Sequence, residues 1–380
     1  MTFGVYNKTM TPLQEELKKY SDPEQALSEL TAKFGINVYR HPTLPLCGFK
    51  YNQIESPKYD PVVRWSRGTV LEYGTWNLVA QGMKRFFNYG ESPLEAEVFN
   101  WDNFQATGKE DGSLILLYYY NNEWHVNTSG SFGFGEINDS GISWKNLFWD
   151  IFNSKSMRVD SLHPSVTYIF ELCSRYNKVV RDYPIPTLRL ITTFIGTIEC
   201  GPLDFGKAIN ATPVTYYDFT SYDALKACLQ IKESVDPTFE GYVVRDNNGI
   251  RFKIKSETYV NLHHLHDNGN LYSLKRLVPI VLKAEQAEVV CVFPELKDKF
   301  ESIKTHLDKI YSELRDLWAA TKDIENQKEF ALAIAHNPMK SVLFKSRKML
   351  GKEQTEALLH NEWSESAELI LKYYEELLDK

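Results

Sequence analysis

From Ile36 to about Lys255, apolar and polar positions alternate in short aromatic and β-branched runs broken by turn residues, the period-two pattern of antiparallel strands. The runs Gly68–Glu72, Trp76–Ala80, Phe104–Thr107, Ser113–Tyr120, Val166–Leu172 and Leu188–Ile195 predict such strands, and Asn121-Asn122 and Asp246–Gly249 predict hairpin turns. Glu240–Val244 and Phe252–Lys255 bracket the second turn as two strands of one hairpin, so Lys253 and Lys255 share a face. Ahead of this region, Ser21 stands three before Glu24, Pro23 occupies a first turn, Ala26, Leu27, Leu30 and Phe34 make a narrow apolar stripe, and Gly35 follows. That order predicts a helix with Ser21 as its N-cap.

After about Leu271 the period changes. Leu296, Phe300, Ile303, Leu307, Ile310, Leu314 and Leu317 recur at spacings of four and three, which predicts one long amphipathic helix packed within its own bundle. Segments 325–336, 339–349, 353–360 and 364–378 also read as helical. The expected fold class is therefore α+β, an antiparallel-sheet domain over 1–270 followed by an all-α domain over 271–380.

Composition narrows the function classes. The 380 residues are 43% hydrophobic and 24% charged with 22 Tyr and 21 Phe, an ordinary globular balance. A net charge of −7 argues against a protein that coats nucleic acid and confines any such contact to a local basic patch. No apolar run approaches the roughly 20 residues of a membrane helix, and the polar start lacks a signal-peptide core, so a cytoplasmic location is expected, with no membrane partner. Cys47, Cys173, Cys200, Cys228 and Cys291 are scattered, with no paired spacing, and read as free thiols.

The candidate chemistry begins at Lys109-Glu110-Asp111-Gly112-Ser113, between two predicted strands. Alone this is equally well a charged turn; Lys253 and Lys255 change the balance, because two ammonium groups on one face suit an anionic partner such as a nucleotide phosphate. A neutral lysine can attack the α-phosphorus of a nucleotide, but with an ordinary pKa of about 10.4 it must be brought down, and Lys253, Lys255 and a bound metal are expected to do this for Lys109. Glu171 and Glu240 are carboxylates suited to ribose hydroxyls or Mg²⁺. The sequence has no G-x-x-x-x-G-K-[ST] loop, and His263-His264-x-His266-Asp267 lacks a complete ligand set, so it reads as an exposed helix or loop end.

In their order, Lys109-x-Asp111-Gly112, Phe170-Glu171, Glu240-Gly241-Tyr242-Val243 and Lys253-x-Lys255 resemble the covalent nucleotidyltransferases, the ligases and mRNA capping enzymes. Adding Phe49-x-Tyr51-Asn52, Arg67-Gly68, Met83-Lys84-Arg85-Phe86-Phe87-Asn88, Asn177-Lys178-Val179-Val180 and Phe252–Ser256, the chain more closely resembles the RNA ligase 1 family of T-even bacteriophage over roughly 45–265. The resemblance implies an ATP-grasp-like adenylyltransferase domain, ATP and Mg²⁺ (or Mn²⁺), and sealing of RNA 5′-phosphate to 3′-hydroxyl ends through lysyl-AMP on Lys109 and an RNA-adenylate. It implies Tyr51 in the adenosine pocket, Arg67 and Lys84 on phosphates, and Glu171 on ribose or metal. Val243 would lie against adenine, Lys253 and Lys255 on the α-phosphate, and Glu240 and Glu288 on metal, with Glu285 competing for the last role. It also implies repair of nicked tRNA alongside an end-healing polynucleotide kinase/phosphatase. Asn127–Ser131 departs from the pattern by lacking the family's lysines, so a phosphate-contacting cation is expected to be missing there. Lys340, Lys345, Arg347, Lys348 and Lys352 give the helical domain a basic face that would select RNA. The rival readings are a DNA ligase or capping enzyme, disfavoured because helices replace the barrel domain usual after the last motif, and an RNA-end-binding module with an inactive site.

Overall fold

The computed structural model describes residues 10–53, 55–266, 274–282, 286, 289–290, 296–337, 340, 343–344, 347–348 and 355. The chain divides into two compact units, Met1–Tyr259 and Val260–Lys380.

Among the described residues, three sheets build the first unit. In chain order the strands are β1 (Ile36–Arg40), β2 (Leu46–Tyr51), β3 (Val70–Glu72), β4 (Leu78–Ala80), β5 (Phe87–Asn88), β6 (Phe104–Gly108), β7 (Ser113–Tyr120), β8 (Glu123–Thr128), β9 (Val166–Cys173), β10 (Thr187–Ile195), β11 (Ile198–Glu199), β12 (Tyr216–Tyr217), β13 (Gly241–Asp246) and β14 (Arg251–Lys255). They pair as β1-β2-β3-β4, as β11-β10-β9-β7-β8 and as β12-β6-β13-β14-β5. All pairings are antiparallel except β14 with β5, where Phe252 faces Phe87. The β7–β8 hairpin turns at Asn121 and Asn122, both with positive φ, as a two-residue turn demands.

The early helix runs Pro23–Phe34 and ends on Gly35 at φ 62°, but its cap is Asp22, whose side chain accepts from the Glu24 N–H. An aspartate one residue nearer the first turn displaces Ser21 from that role. Ala26, Leu27, Leu30 and Phe34 enter a core shared with Cys47, Phe49, Tyr51 and Trp76. The other face of the first sheet sends Leu46, Val70 and Ala80 into a second core with Phe86, Leu114, Leu116 and Ile169. Two further cores lie under β7–β10 with the helix Trp144–Ser154, and under β6, β13 and β14 with the helix Tyr222–Val235.

The second unit contains the helices Leu274–Leu282, Lys297–Thr321 and Gln327–Ala333. Along Lys297–Thr321, Phe300, Ile303, Leu307, Ile310 and Leu314 are buried as the spacing predicts, but Trp318 takes the next core position and Leu317 is left partly exposed. Arg347 donates to the Ile324 carbonyl and lies 4.2 Å over the Phe330 ring, and Lys340 donates to the Ala335 carbonyl. Lys345, Lys352, Glu285, Glu288, Asp267 and Cys291 lie outside the described residues, as do most of 339–378. Cys47, Cys173, Cys200 and Cys228 are free thiols, and among the described residues no helix is long and apolar enough to cross a membrane.

Candidate active site

Lys109 sits where the chain leaves one sheet at the end of β6 and enters another at β7. Its backbone N–H donates to the Gly241 carbonyl at 2.9 Å, tying it to the start of β13. Gly241 has φ 130°, and a Cβ there would stand 2.2 Å from the Ile254 carbonyl oxygen, so only glycine lets β13 and β14 meet beneath the lysine. Gly112 serves the same end, since a Cβ would fall 2.5 Å from the Leu172 carbonyl oxygen.

Asp111 is a structural clamp. Its Oδ2 accepts the Val180 and Arg181 N–H groups at 2.9 and 2.6 Å, and its Oδ1 accepts the Tyr259 hydroxyl at 2.8 Å. Buried Asn177 donates to Ser113 Oγ and to the Leu172 carbonyl, so the Asn177–Val180 motif fixes the turn that carries Lys109.

The charges around Lys109 are tightly coupled. Its Nζ donates to Glu240 Oε2 at 2.7 Å, while Lys255 Nζ reaches Oε1 of the same carboxylate at 3.0 Å. Burial works to raise the Glu240 carboxyl, but the two ammonium groups outweigh it and hold the group below its ordinary range. Burial likewise works to lower Lys109, yet Glu240 and Glu171 outweigh it and the amine is held above its ordinary range. This reverses the expectation that neighbouring lysines depress Lys109, because two carboxylates sit closer in effect than the cations. The depressed lysine is Lys253, pushed down to about 7 by burial and by Arg67, Lys109 and Lys255. Glu171 is pushed up to about 8, chiefly by burial, with Lys109 opposing and Glu240 adding repulsion.

Of the residues singled out in the sequence, Lys109, Arg67, Glu171, Glu240, Lys253 and Lys255 act on one another in this cluster. Val243 lies opposite Lys253 in the β13–β14 register and packs against the core that contains Phe86. The Phe86 ring organises the cations, with Lys253 Nζ 5.0 Å, Arg67 Cζ 5.3 Å and Arg251 Cζ 5.7 Å from its centroid. Lys84 stands to one side, 4.1 Å over the Trp65 ring, among Arg64, Glu199 and Arg251. Tyr51 is not brought to Lys109: its ring belongs to the core beneath the N-terminal helices, with Arg85 4.1 Å above it. Sequence reasoning gave no role to Lys50, Phe86 or Tyr259. Strand alternation was a signal for the first, since Phe49 and Tyr51 facing the core turn Lys50 the other way.

Among the described residues no three His, Cys, Asp or Glu side chains are grouped to hold a metal. Glu240 and Glu171 supply two carboxylates, a set that fits a divalent cation when phosphate oxygens complete its shell.

The model of a family described as RNA ligase matches residues 66–260. A protein of Autographa californica nuclear polyhedrosis virus, named as a bifunctional polynucleotide kinase/RNA ligase, is 26% identical over 356 residues, which cover 85% of this chain and 48% of that protein. The chain thus spans about half the length of that curated relative. Among solved structures, an archaeal ATP-dependent RNA ligase aligns with TM-score 0.47 and 14% identity over 86% of this chain and 89% of the other. A Naegleria gruberi RNA ligase mutant with ATP and Mn aligns with TM-score 0.34 and 15% identity over 45% and 54%.

Proposed function

Since the chain belongs to the RNA ligase family, we propose that it is an ATP-dependent RNA ligase working through Lys109. The observation that carries this reading is the seating of Lys109 at a sheet crossover, with Glu240 and Lys255 in direct contact and Lys253 beside it. The Lys109 amine gives up its proton and attacks the α-phosphorus of ATP; a P–N bond forms, the P–O bond to pyrophosphate breaks, and lysyl-AMP remains. An RNA 5′-phosphate oxygen then attacks the same phosphorus, returning the lysine and forming RNA-adenylate. Finally a 3′-hydroxyl attacks the RNA phosphate and AMP leaves with the bond that held it.

The residues divide this work. An incoming α-phosphate would give the Lys253 and Lys255 ammonium groups a counter-charge, while positive charge held at Glu240 and Glu171 would offset the carboxylates that keep Lys109 protonated. Glu240 and Glu171 would hold Mg²⁺ or Mn²⁺, which supplies charge neutralisation at the phosphates. Val243 would pack against adenine. Arg67, and from the flank Lys84, would meet phosphates. Tyr51 in the adenosine pocket rests on the resemblance alone, its ring lying in the core beneath the N-terminal helices.

The natural substrate is proposed as nicked tRNA with ends healed by a kinase/phosphatase, a pairing supported by the name of the viral relative. In the helical region, exposed Lys348 would meet an RNA backbone, while Lys340 and Arg347 are engaged within their own unit. The test is incubation with α-labelled ATP and Mg²⁺ followed by a chase with 5′-phosphorylated RNA. Label should pass from protein to RNA and leave as AMP on sealing; protein that never takes up label would overturn the reading.

A further inference from the structure

Lys50 lies on β2 between Phe49 and Tyr51, whose rings enter the core under the N-terminal helices. Its side chain therefore leaves by the opposite face, the one that sends Leu46 into the core with Phe86 and Val243. It runs along Gly130: a Cβ on that glycine would stand 2.9 Å from Lys50 Cδ and 3.2 Å from its Nζ. Gly130 belongs to a tight turn in which its N–H donates to Thr128 Oγ1 and the Thr128 N–H donates to the Ser131 carbonyl. Arg67-Gly68 abuts the same turn, since a Cβ on Gly68 would lie 3.2 Å from the Ser129 Cα.

Lys50 is half-buried and, among the described residues, its ammonium has no hydrogen bond or ion pair. Burial, with Arg67 as the added positive neighbour, lowers its pKa. Arg67 is the common neighbour of two groups of charge, acting on Lys253 and Glu171 beside Lys109 and on Lys50 further along. Lys253 and Arg67, like Lys50, have no carboxylate at ion-pair distance among the described residues; the charged ends of Lys253 and Arg67 lie over the Phe86 ring. Two lysines that Arg67 repels, neither with a carboxylate at ion-pair distance among the described residues, are costly unless an anion visits them. A lysine whose stem merely covers apolar surface would carry its ammonium out to water, whereas this one lies down against a glycine backbone beside an arginine.

Resting on the ligase reading, we propose that Lys50, placed by Gly130 and working with Arg67, binds the pyrophosphate portion of ATP, the two phosphates beyond the one transferred to Lys109. The segment Asn127–Ser131 carries no cation of its own, and Lys50 brings one to it from the neighbouring sheet. Gly130 is needed because any side chain there would push the lysine aside.

The test is titration calorimetry of inorganic pyrophosphate with Mg²⁺ against the full chain, alongside rates of enzyme-AMP formation and of joining pre-adenylylated RNA. Lys50→Met should weaken pyrophosphate binding about tenfold or more and raise the KM for ATP similarly, with joining of pre-adenylylated RNA unchanged. Lys50→Arg should restore most of the affinity. Gly130→Ala, which keeps the charge but displaces it, should reproduce the Lys50→Met defect in a protein of unaltered thermal transition. Unchanged pyrophosphate affinity in Lys50→Met overturns the proposal, and a defect confined to transfer of AMP onto RNA 5′-phosphate overturns it in favour of the RNA end. Wild-type protein that binds pyrophosphate through Lys50 but never forms enzyme-AMP would sink the ligase reading and leave this site standing.

Discussion

The Lys109 ammonium donates to Glu240 at 2.7 Å, so the proposed nucleophile rests as one half of a largely buried ion pair, and Lys255 completes the pair on the other carboxylate oxygen at 3.0 Å. The site at rest thus protects Lys109 from deprotonation. Positive charge must offset Glu240 before the amine can react, which ties its reactivity to what the carboxylates hold.

Glu240→Gln should strand two ammonium groups against a 4% exposed side chain and destabilise the protein by about 3–5 kcal/mol at pH 7. Because the folded-state pKa of Glu240 is depressed, its contribution is present above the ordinary carboxylate range and lost as pH falls through the folded value. Urea unfolding at pH 7 and at pH 3 measures this: the gap between wild type and mutant should narrow in acid, and an equal gap at both would show that the charge of Glu240 is not what matters.

Lys253 carries the opposite sign of linkage. Its folded pKa of about 7 lies below the unfolded value, so stability falls as pH drops from about 10.5 to 7 and is constant below that. Lys253→Met should therefore raise the melting temperature most at pH 6–7 and least near pH 10, while slowing enzyme-AMP formation by about tenfold or more through loss of a phosphate contact. A mutant less stable than wild type at pH 6 would contradict this.

Glu171 titrates near 8, so glutamine mimics the form that predominates below that pH. The Glu171→Gln variant should match wild type closely in kcat/KM for ATP at pH 6.5, and diverge above pH 8 where wild type gains a carboxylate for ribose or metal. Its stability should exceed wild type above pH 8, because the raised pKa costs wild type stability as pH climbs from the ordinary carboxylate range to 8. Parallel pH profiles for the two proteins would remove Glu171 from the titrating set.

Much of this was legible in the sequence for identifiable reasons. Period-two alternation located β7, β9, β10 and the β13–β14 hairpin, and the shared face of Lys253 and Lys255 followed from it. Two things were not legible. One is the parallel seam between β14 and β5, which joins Phe252 to Phe87 across 165 positions by tertiary packing alone. The other is the sign of the Lys109 shift, which depends on Glu240 standing 2.7 Å from the amine, a distance no spacing encodes. Asp111 shows an intermediate case: its place in the motif is visible, but its partners Val180, Arg181 and Tyr259 are assembled only by folding.

The central claim is that Lys109 is the residue that takes AMP. Lys109→Ala, shown folded by its thermal transition, should incorporate no label from α-labelled ATP and should still join pre-adenylylated RNA at a measurable rate, because the later step does not use the amine as a nucleophile. Undiminished labelling of the mutant protein would contradict the account.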